Sequence, residues 1–232
     1  MLHIRRSNER GHFDHGWLET YHTFSFGEYH DPDFMGFRTL RVINEDYVNP
    51  GKGFSEHPHR DMEIITYIFS GELEHRDSMG NGEVIRPGEI QYMAAGKGVY
   101  HSEMNPSPRD AVHLMQIWIL PNRKGLPPRY EKRRFPGIEN NGELTLIASP
   151  SGEDNSIMIN QDARLYAAKM KQGDEISYAP KAGRGLWLQL ISGALTLGKD
   201  RLEQGDGAGI VDEEQIMLRS SEDTELLLFD LA

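Results

Sequence analysis

The strongest constraint on the fold is a set of short runs with the length and composition of β-strands. Glu63 to Ser70 (EIITYIFS), His113 to Leu120 (HLMQIWIL), Gly185 to Ile191 (GLWLQLI) and Glu225 to Asp230 (ELLLFD) are rich in β-branched, aromatic and aliphatic residues, and turns containing Gly, Pro or Asp close them. Helical signals are thin by comparison. Many short strands between Gly-rich turns predict an all-β chain, a sandwich or barrel rather than alternating β and α units. The 232 residues suffice for one large domain or two small ones.

Two features favour two halves. Pro121 to Phe135 (PNRKGLPPRYEKRRF) holds three prolines and six Lys or Arg against one Glu, and reads as a linker, 121–135, between residues 1–120 and 136–232. Its basic run at 129–134 reads as a solvated face. A weak internal repeat points the same way. The stretch Tyr67 to Glu74 resembles Leu188 to Thr196, and Gly88 to Met93 is echoed from Gly205 to Val211. The offsets nearly agree, 122 residues from Gly71 to Gly193 and 117 from Gly88 to Gly205, as a duplicated unit with loop changes requires.

Composition narrows the function. A net charge of −11 works against binding nucleic-acid phosphates or anionic lipid surfaces, which need a positive field. No cysteine is present, so disulfides, thiolate metal sites and thiol nucleophiles are excluded, and a metal must take His, carboxylate or water ligands. The basic amino terminus lacks the apolar stretch of about 7–15 residues that a signal peptide carries. No apolar run approaches the roughly 18 residues of a membrane span. A cytoplasmic, soluble and monomeric protein is the expectation.

All ten histidines lie at or before His113, which confines any imidazole metal site to the first half. Residues i and i+2 of a strand share a face, so His57 and His59 can converge on one point, as can His101 and Glu103. If both strands face one barrel interior, three imidazoles and a carboxylate surround a divalent cation, leaving one or two positions open. Glu63 keeps the parity of His57 and His59 and is therefore a candidate general base, or an inward carboxylate held by a cation such as Arg60. Pro58 lacks an N–H and puts this stretch at a strand start or edge near a barrel mouth. His3, His12, His15, His30 and His75 read as structural or surface residues, and His22 and His113 as core groups or neighbours of the site. Asn105 reads as a turn residue. The Ala95–Gly98 segment lacks the hydroxyl residue and spacing of a phosphate loop.

Gly51, His57, His59, Glu63 and Gly71, followed by Gly88, Gly96, His101 and Asn105, resemble the two motifs of the cupins, G-x5-H-x-H-x3/4-E-x6-G and G-x5-P-x-G-x2-H-x3-N. The departures are one extra residue before Gly71, Ala94 in place of Pro, and two extra residues before His101. With the opening Glu9-Arg10-Gly11-His12, the His22-Thr-Phe-Ser-Phe26 and Met35-Gly-Phe37 segments and Gln116-Ile-Trp-Ile119, the chain resembles the pirin branch over nearly its whole length, and bacterial pirin-like quercetin 2,3-dioxygenases in particular.

That resemblance implies a bicupin, two antiparallel jelly-roll barrels with the metal site in the first half only. It implies His57, His59, His101 and Glu103 as metal ligands, with Glu63 outside the ligand set. The activity implied is cleavage of the heterocyclic ring of a flavonol such as quercetin by O2, releasing carbon monoxide and a depside. Glu103 would be ligand and base, with Glu63 in reserve. Iron(II) is the metal the resemblance favours, while the donor set also suits manganese, cobalt, nickel, copper or zinc. The rival reading is a metal-binding regulatory protein that docks a protein partner; a third is an unknown small substrate at the same metal.

Overall fold

The computed structural model describes residues 1–139 and 142–232. In chain order its strands are β1 (Leu2–Arg5), β2 (Gly11–Asp14), β3 (Leu18–His22), β4 (Leu40–Val48), β5 (Gly53–His59), β6 (Glu63–Ser70), β7 (Leu73–Asp77), β8 (Gly82–Ile85), β9 (Glu89–Ala94), β10 (Val99–Met104), β11 (Val112–Ile119) and β12 (Arg129–Arg134), then β13 (Thr145–Ser149), β14 (Ile157–Met158), β15 (Ala163–Met170), β16 (Glu175–Tyr178), β17 (Gly185–Ser192), β18 (Ala194–Leu197), β19 (Asp200–Glu203), β20 (Gly207–Val211), β21 (Ile216–Ser220) and β22 (Thr224–Leu231). The only helical segments among the described residues are short 3-10 turns, the longest being Pro136–Glu139. None is long and apolar enough to cross a membrane.

Two compact units result. One comprises Gly11–Arg134 with Ile159–Gln161; the other comprises Met1–Arg10, Phe135–Met158 and Asp162–Ala232. This differs from a cut at residues 121–135 in two ways. First, β12 is not a linker but the edge strand of a seven-stranded sheet, order β12-β9-β6-β11-β4-β3-β2. Its basic residues suit an edge, where charge discourages further pairing, and Lys132 lies 3.5 Å from Glu83 and 3.9 Å from Glu89. Second, β1 pairs with β20 in the other unit's sheet, order β1-β20-β17-β22-β15-β13-β14. Each unit adds a four-stranded sheet, β5-β10-β7-β8 in the first and β16-β21-β18-β19 in the second.

The internal repeat is visible in this topology. The run β12-β9-β6-β11-β4 of one unit corresponds to β1-β20-β17-β22-β15 of the other, and the smaller sheets correspond strand for strand. Gly71 and Gly193, the repeat's anchors, both close the turn after the central strand at φ 77°. A Cβ there would meet the Ala111 and Asp223 carbonyl oxygens at 2.7 and 2.2 Å, so glycine is required twice for one reason.

The units differ in what fills them. The inner positions of the carboxy-terminal unit form a single apolar cluster that includes Leu186, Leu188, Leu190, Leu195, Leu218, Leu226 and Leu228. Each such leucine stabilises the fold by about 2–3 kcal/mol through burial. In the amino-terminal unit the inner faces run apolar, polar, apolar. Leu18, Val48, Ile68, Leu73 and Leu114 form one cluster, and Ile64, Met93 and Val99 form another with Trp118. Between them, at strand period two, stand Thr66, Gln91, Gln116, His75, His101, Glu103, Asn44 and Asp46, all buried. This polar belt borders the candidate site.

Candidate metal centre

His57 and His59 converge on the belt's His101 because β5 and β10 are antiparallel neighbours. Val99 faces His59 and His101 faces His57, while an extra residue on β5 brings Phe54 opposite Glu103. Gly53 permits this approach, since a Cβ there would lie 2.2 Å from the Glu103 carbonyl oxygen. The rings of His57, His59 and His101 form a triangle with centroid separations of 4.8, 4.5 and 4.8 Å. Nitrogens of these rings that could hold a metal lie within 4.8 Å of one another, as do such atoms of His75, His101 and Glu103 in an overlapping group. As Pro58 implied, β5 is an edge strand.

Hydrogen bonds fix which nitrogen His57 and His101 offer. His57 Nδ1 donates to the Ser55 carbonyl at 2.8 Å, leaving Nε2 as the lone-pair atom. His75 lies between Asp77 and His101. Its Nε2 is 3.1 Å from Asp77 Oδ2, and its Nδ1 is 3.4 Å from His101 Nδ1. Because the carboxylate only accepts, His75 carries its proton on Nε2 and accepts at Nδ1. His101 therefore donates from Nδ1 and turns an Nε2 lone pair inward. That Nε2 is buried and has no partner in the protein.

Electrostatics keep His59 and His101 neutral. Burial, and then its histidine neighbours, lower His59 to about 4, and burial with His57 and His75 lowers His101 to about 3. Burial would raise Asp77, but hydrogen bonds from Asn81, His75 and Met79 hold its carboxyl below the usual range. Glu103 is held from two sides, Oε1 accepting from Gln91 Nε2 at 2.8 Å and Oε2 from Gln116 Nε2 at 2.6 Å. Three converging imidazoles, an inward carboxylate and an orphaned buried ring nitrogen form a donor set that fits a divalent cation.

Glu63 does not join this group, which corrects the parity argument. Asp61, between β5 and β6, has φ 51°, so His59 and Glu63 do not share a continuous strand and the alternation is lost. On β6, Ile64 and Thr66 face Met93 and Gln91 of the interior, whereas Glu63 lies on the other face. Its carboxylate accepts from the Tyr92 hydroxyl, from Asn160 N at 2.8 Å and from Asn160 Nδ2 at 3.2 Å, and not from Arg60. Burial and then this carboxylate raise the Tyr92 phenol well above its usual range.

A cavity of about 480 Å³ opens beside the cluster, within the range of small-molecule sites. Phe13, Phe26, Phe54 and Trp118 line it together with His57, His59, Glu103 and Gln116. The Trp118 ring stands edge-on to His59 at 4.8 Å and to Phe26 at 5.3 Å. His22, Thr20, Asn44 and Asp46 form its polar wall. Burial, then His15, lowers His22 to about 4, and burial raises Asp46 to about 7. Elsewhere, His113 Nε2 pairs with Glu45 at 2.9 Å. Asn105 is a turn residue as expected, its Oδ1 accepting from Ser107 N at 2.9 Å and its Nδ2 donating to the Val48 and Asp110 carbonyls. Sequence reasoning missed His75, Gln91, Asn44 and Asp46, whose roles depend on cross-strand neighbours. Only their i+2 spacing to inner residues hinted at them.

Two jelly-roll units, one packed with leucine and one with an imidazole cluster beneath an aromatic cavity, define a bicupin. Residues 3–119 match the family model Pirin, and residues 146–231 match that of the quercetinase C-terminal cupin domain. The chain belongs to the pirin family. It is 46% identical over 231 residues to a protein of Escherichia coli (strain K12) named quercetin 2,3-dioxygenase, covering 100% of this chain and 99% of that one. The crystal structure of YhhW from Escherichia coli superposes with a TM-score of 0.97 at 46% identity, covering 100% of this chain and 98% of that one. The structure of the bacterial pirin YhhW in complex with nickel(II) gives a TM-score of 0.95 at 45% identity, covering 100% and 99%.

Proposed function

We propose that this chain is a metal-dependent dioxygenase that opens the heterocyclic ring of flavonols such as quercetin, with one divalent cation held by His57, His59, His101 and Glu103. The observation that carries the reading is the buried, unpartnered Nε2 of His101, set between His57 and His59 beside an aromatic-walled cavity. When bound, the cation supplies Lewis acidity that lowers the pKa of a coordinated hydroxyl. The protein's own groups do the rest. Phe26, Phe54 and Trp118 receive planar rings and exclude water. Gln91 and Gln116 hold Glu103 in place, and Glu103, which lines the cavity, is the carboxylate that takes the flavonol hydroxyl proton. Glu63, on the opposite face of β6, has no part in this chemistry.

A regulatory binding protein would favour an ion sealed from ligands. His57 and His59 instead line the open cavity, which supports the enzyme. The resemblance favours iron(II), and the similar YhhW structure holds nickel(II), so both belong in the test. Protein loaded with either ion is mixed with quercetin under oxygen, and the flavonol absorbance and headspace carbon monoxide are followed. Loss of absorbance with release of carbon monoxide is expected; neither change with either ion overturns the proposal. Glu103→Ala is expected to lower metal retention and turnover together, and full activity in that variant refutes the ligand assignment.

A further inference from the structure

The polar wall of the cavity has a feature that holding a metal does not explain. Strands β3, β4 and β11 are neighbours, and their register aligns Thr20 with Asp46, His22 with Asn44, and Asn44 with Gln116. Period two turns Thr20, His22, Asn44 and Asp46 to the same cavity, flanked along the strands by Leu18 and Val48 of the apolar core. All four are buried, with 3%, 7%, 5% and 3% of their surface exposed. Buried polar groups at such positions normally satisfy one another. Here Asn44 Oδ1 and His22 Nδ1 have no protein partner although both residues line the cavity. A jelly-roll needs none of them at these positions, since the other unit fills its interior with leucine and isoleucine.

The chemistry of these groups selects the guest. Asn44 Oδ1 only accepts hydrogen bonds, the Asp46 carboxyl disfavours an anion, and His22 can donate or accept. The complementary group is neutral and carries hydroxyl hydrogens. Aromatic surface stands beside it, with Phe13 at 5.5 Å and Phe26 at 5.3 Å from the His22 ring. Distance fits as well. Gln116 touches Glu103, Asn44 is one strand further along the wall and His22 two, a reach of about 10 Å at the usual strand spacing. A single ring held at the histidine cluster does not span that reach; a molecule of three linked rings does.

We propose that Thr20, His22, Asn44 and Asp46 form a hydroxyl-recognition subsite for the distal ring of a planar, polyhydroxylated aromatic ligand, an inference that rests on the flavonol activity proposed above. A site built to meet hydroxyl groups rejects an analogue lacking them, because its buried polar atoms are then left unpaired by a ligand that has displaced their water.

The test measures anaerobic binding to nickel-loaded protein, by quenching of tryptophan fluorescence, for quercetin and for 3-hydroxyflavone. Both present the same metal-binding hydroxyl and carbonyl, but the second has bare outer rings. Wild-type protein is expected to prefer quercetin by about tenfold or more. In Asn44→Leu, near in volume and without the acceptor, the ratio of the two dissociation constants is expected to fall about tenfold toward unity. His22→Phe moves the ratio the same way and serves if thermal melting shows Asn44→Leu unfolded. A wild-type ratio within about twofold of unity, or a ratio unchanged in both variants, overturns the subsite. Oxygen uptake, measured separately, keeps the two readings distinct. Preference without uptake overturns the dioxygenase and supports the subsite, whereas uptake without preference overturns the subsite alone.

Discussion

Replacing His75 with phenylalanine tests how the imidazole cluster is held. His75 is fully buried, stacks on Tyr130 at 4.6 Å and links the Asp77 carboxylate to His101 Nδ1. Phenylalanine keeps the ring and the stack but removes the acceptor. His101 Nδ1–H is then buried without a partner, at a cost of about 1–3 kcal/mol, and the ring escapes by moving its proton to Nε2, the atom turned toward the cluster. Loss of such a supporting hydrogen bond weakens metal binding by about 10–100-fold, or roughly 1.4–2.7 kcal/mol. Competition against a chromophoric chelator measures the affinity, and nitrogen-15 imidazole shifts of the metal-free protein report the tautomer directly. His75→Asn puts a carbonyl oxygen near the lost Nδ1 and is expected to recover part of the affinity. If His75→Phe is folded, retains the His101 tautomer and binds metal within about twofold of wild type, the reasoning is refuted.

Three further outcomes follow from the same geometry. In metal-free protein the depressed histidines stay neutral when folded, so their contribution is present above about pH 6.5 and lost as pH falls toward their folded values, about 4 for His22 and His59 and about 3 for His101. From about pH 7.5 to about 5.5 the three remove roughly 4 kcal/mol, while Asp46, raised to about 7, gains a proton when folded and returns roughly 2. Urea denaturation should therefore show a net loss of about 2 kcal/mol, and a gain in stability would contradict the burial argument. Glu63→Gln turns an amide N–H toward the Tyr92 and Asn160 donors and should destabilise by about 1–3 kcal/mol while metal affinity stays at the wild-type value; a tenfold loss of affinity would return Glu63 to the site. Gly53→Ala forces a Cβ within 2.2 Å of the Glu103 carbonyl oxygen, and parting β5 from β10 should lower thermal stability by about 1–3 kcal/mol and weaken metal binding together. An unchanged metal titration in that variant would show that the close approach does not set the cluster.

Much of this was legible in the chain because it is local. Strand runs such as Glu63–Ser70 declare themselves by β-branched composition, and β6 lies wholly inside that run. The His57/His59 and His101/Glu103 pairs declare a shared face through period two. Gly71 and Gly193 mark the duplicated turn because only glycine fits a left-handed turn against a neighbouring carbonyl. Parity failed at Glu63 because a single left-handed residue, Asp61, ends one strand and begins another. The basic run at 129–134 read as solvated because charge marks an edge strand and a loop alike.

What composition and spacing determined by themselves is an all-β chain of two similar halves, with every imidazole at or before residue 113. Tertiary structure alone decided that β1 leaves the first half for the second, that Asp77 and His75 orient His101, that two glutamines grip Glu103, and that Asn44 Oδ1 and His22 Nδ1 are left without a protein partner in residues lining the cavity. The physical reason is register. Which side chains meet across a sheet depends on bulges, turns and pairings between residues far apart in sequence, and a shift of one residue turns each of them to the other face.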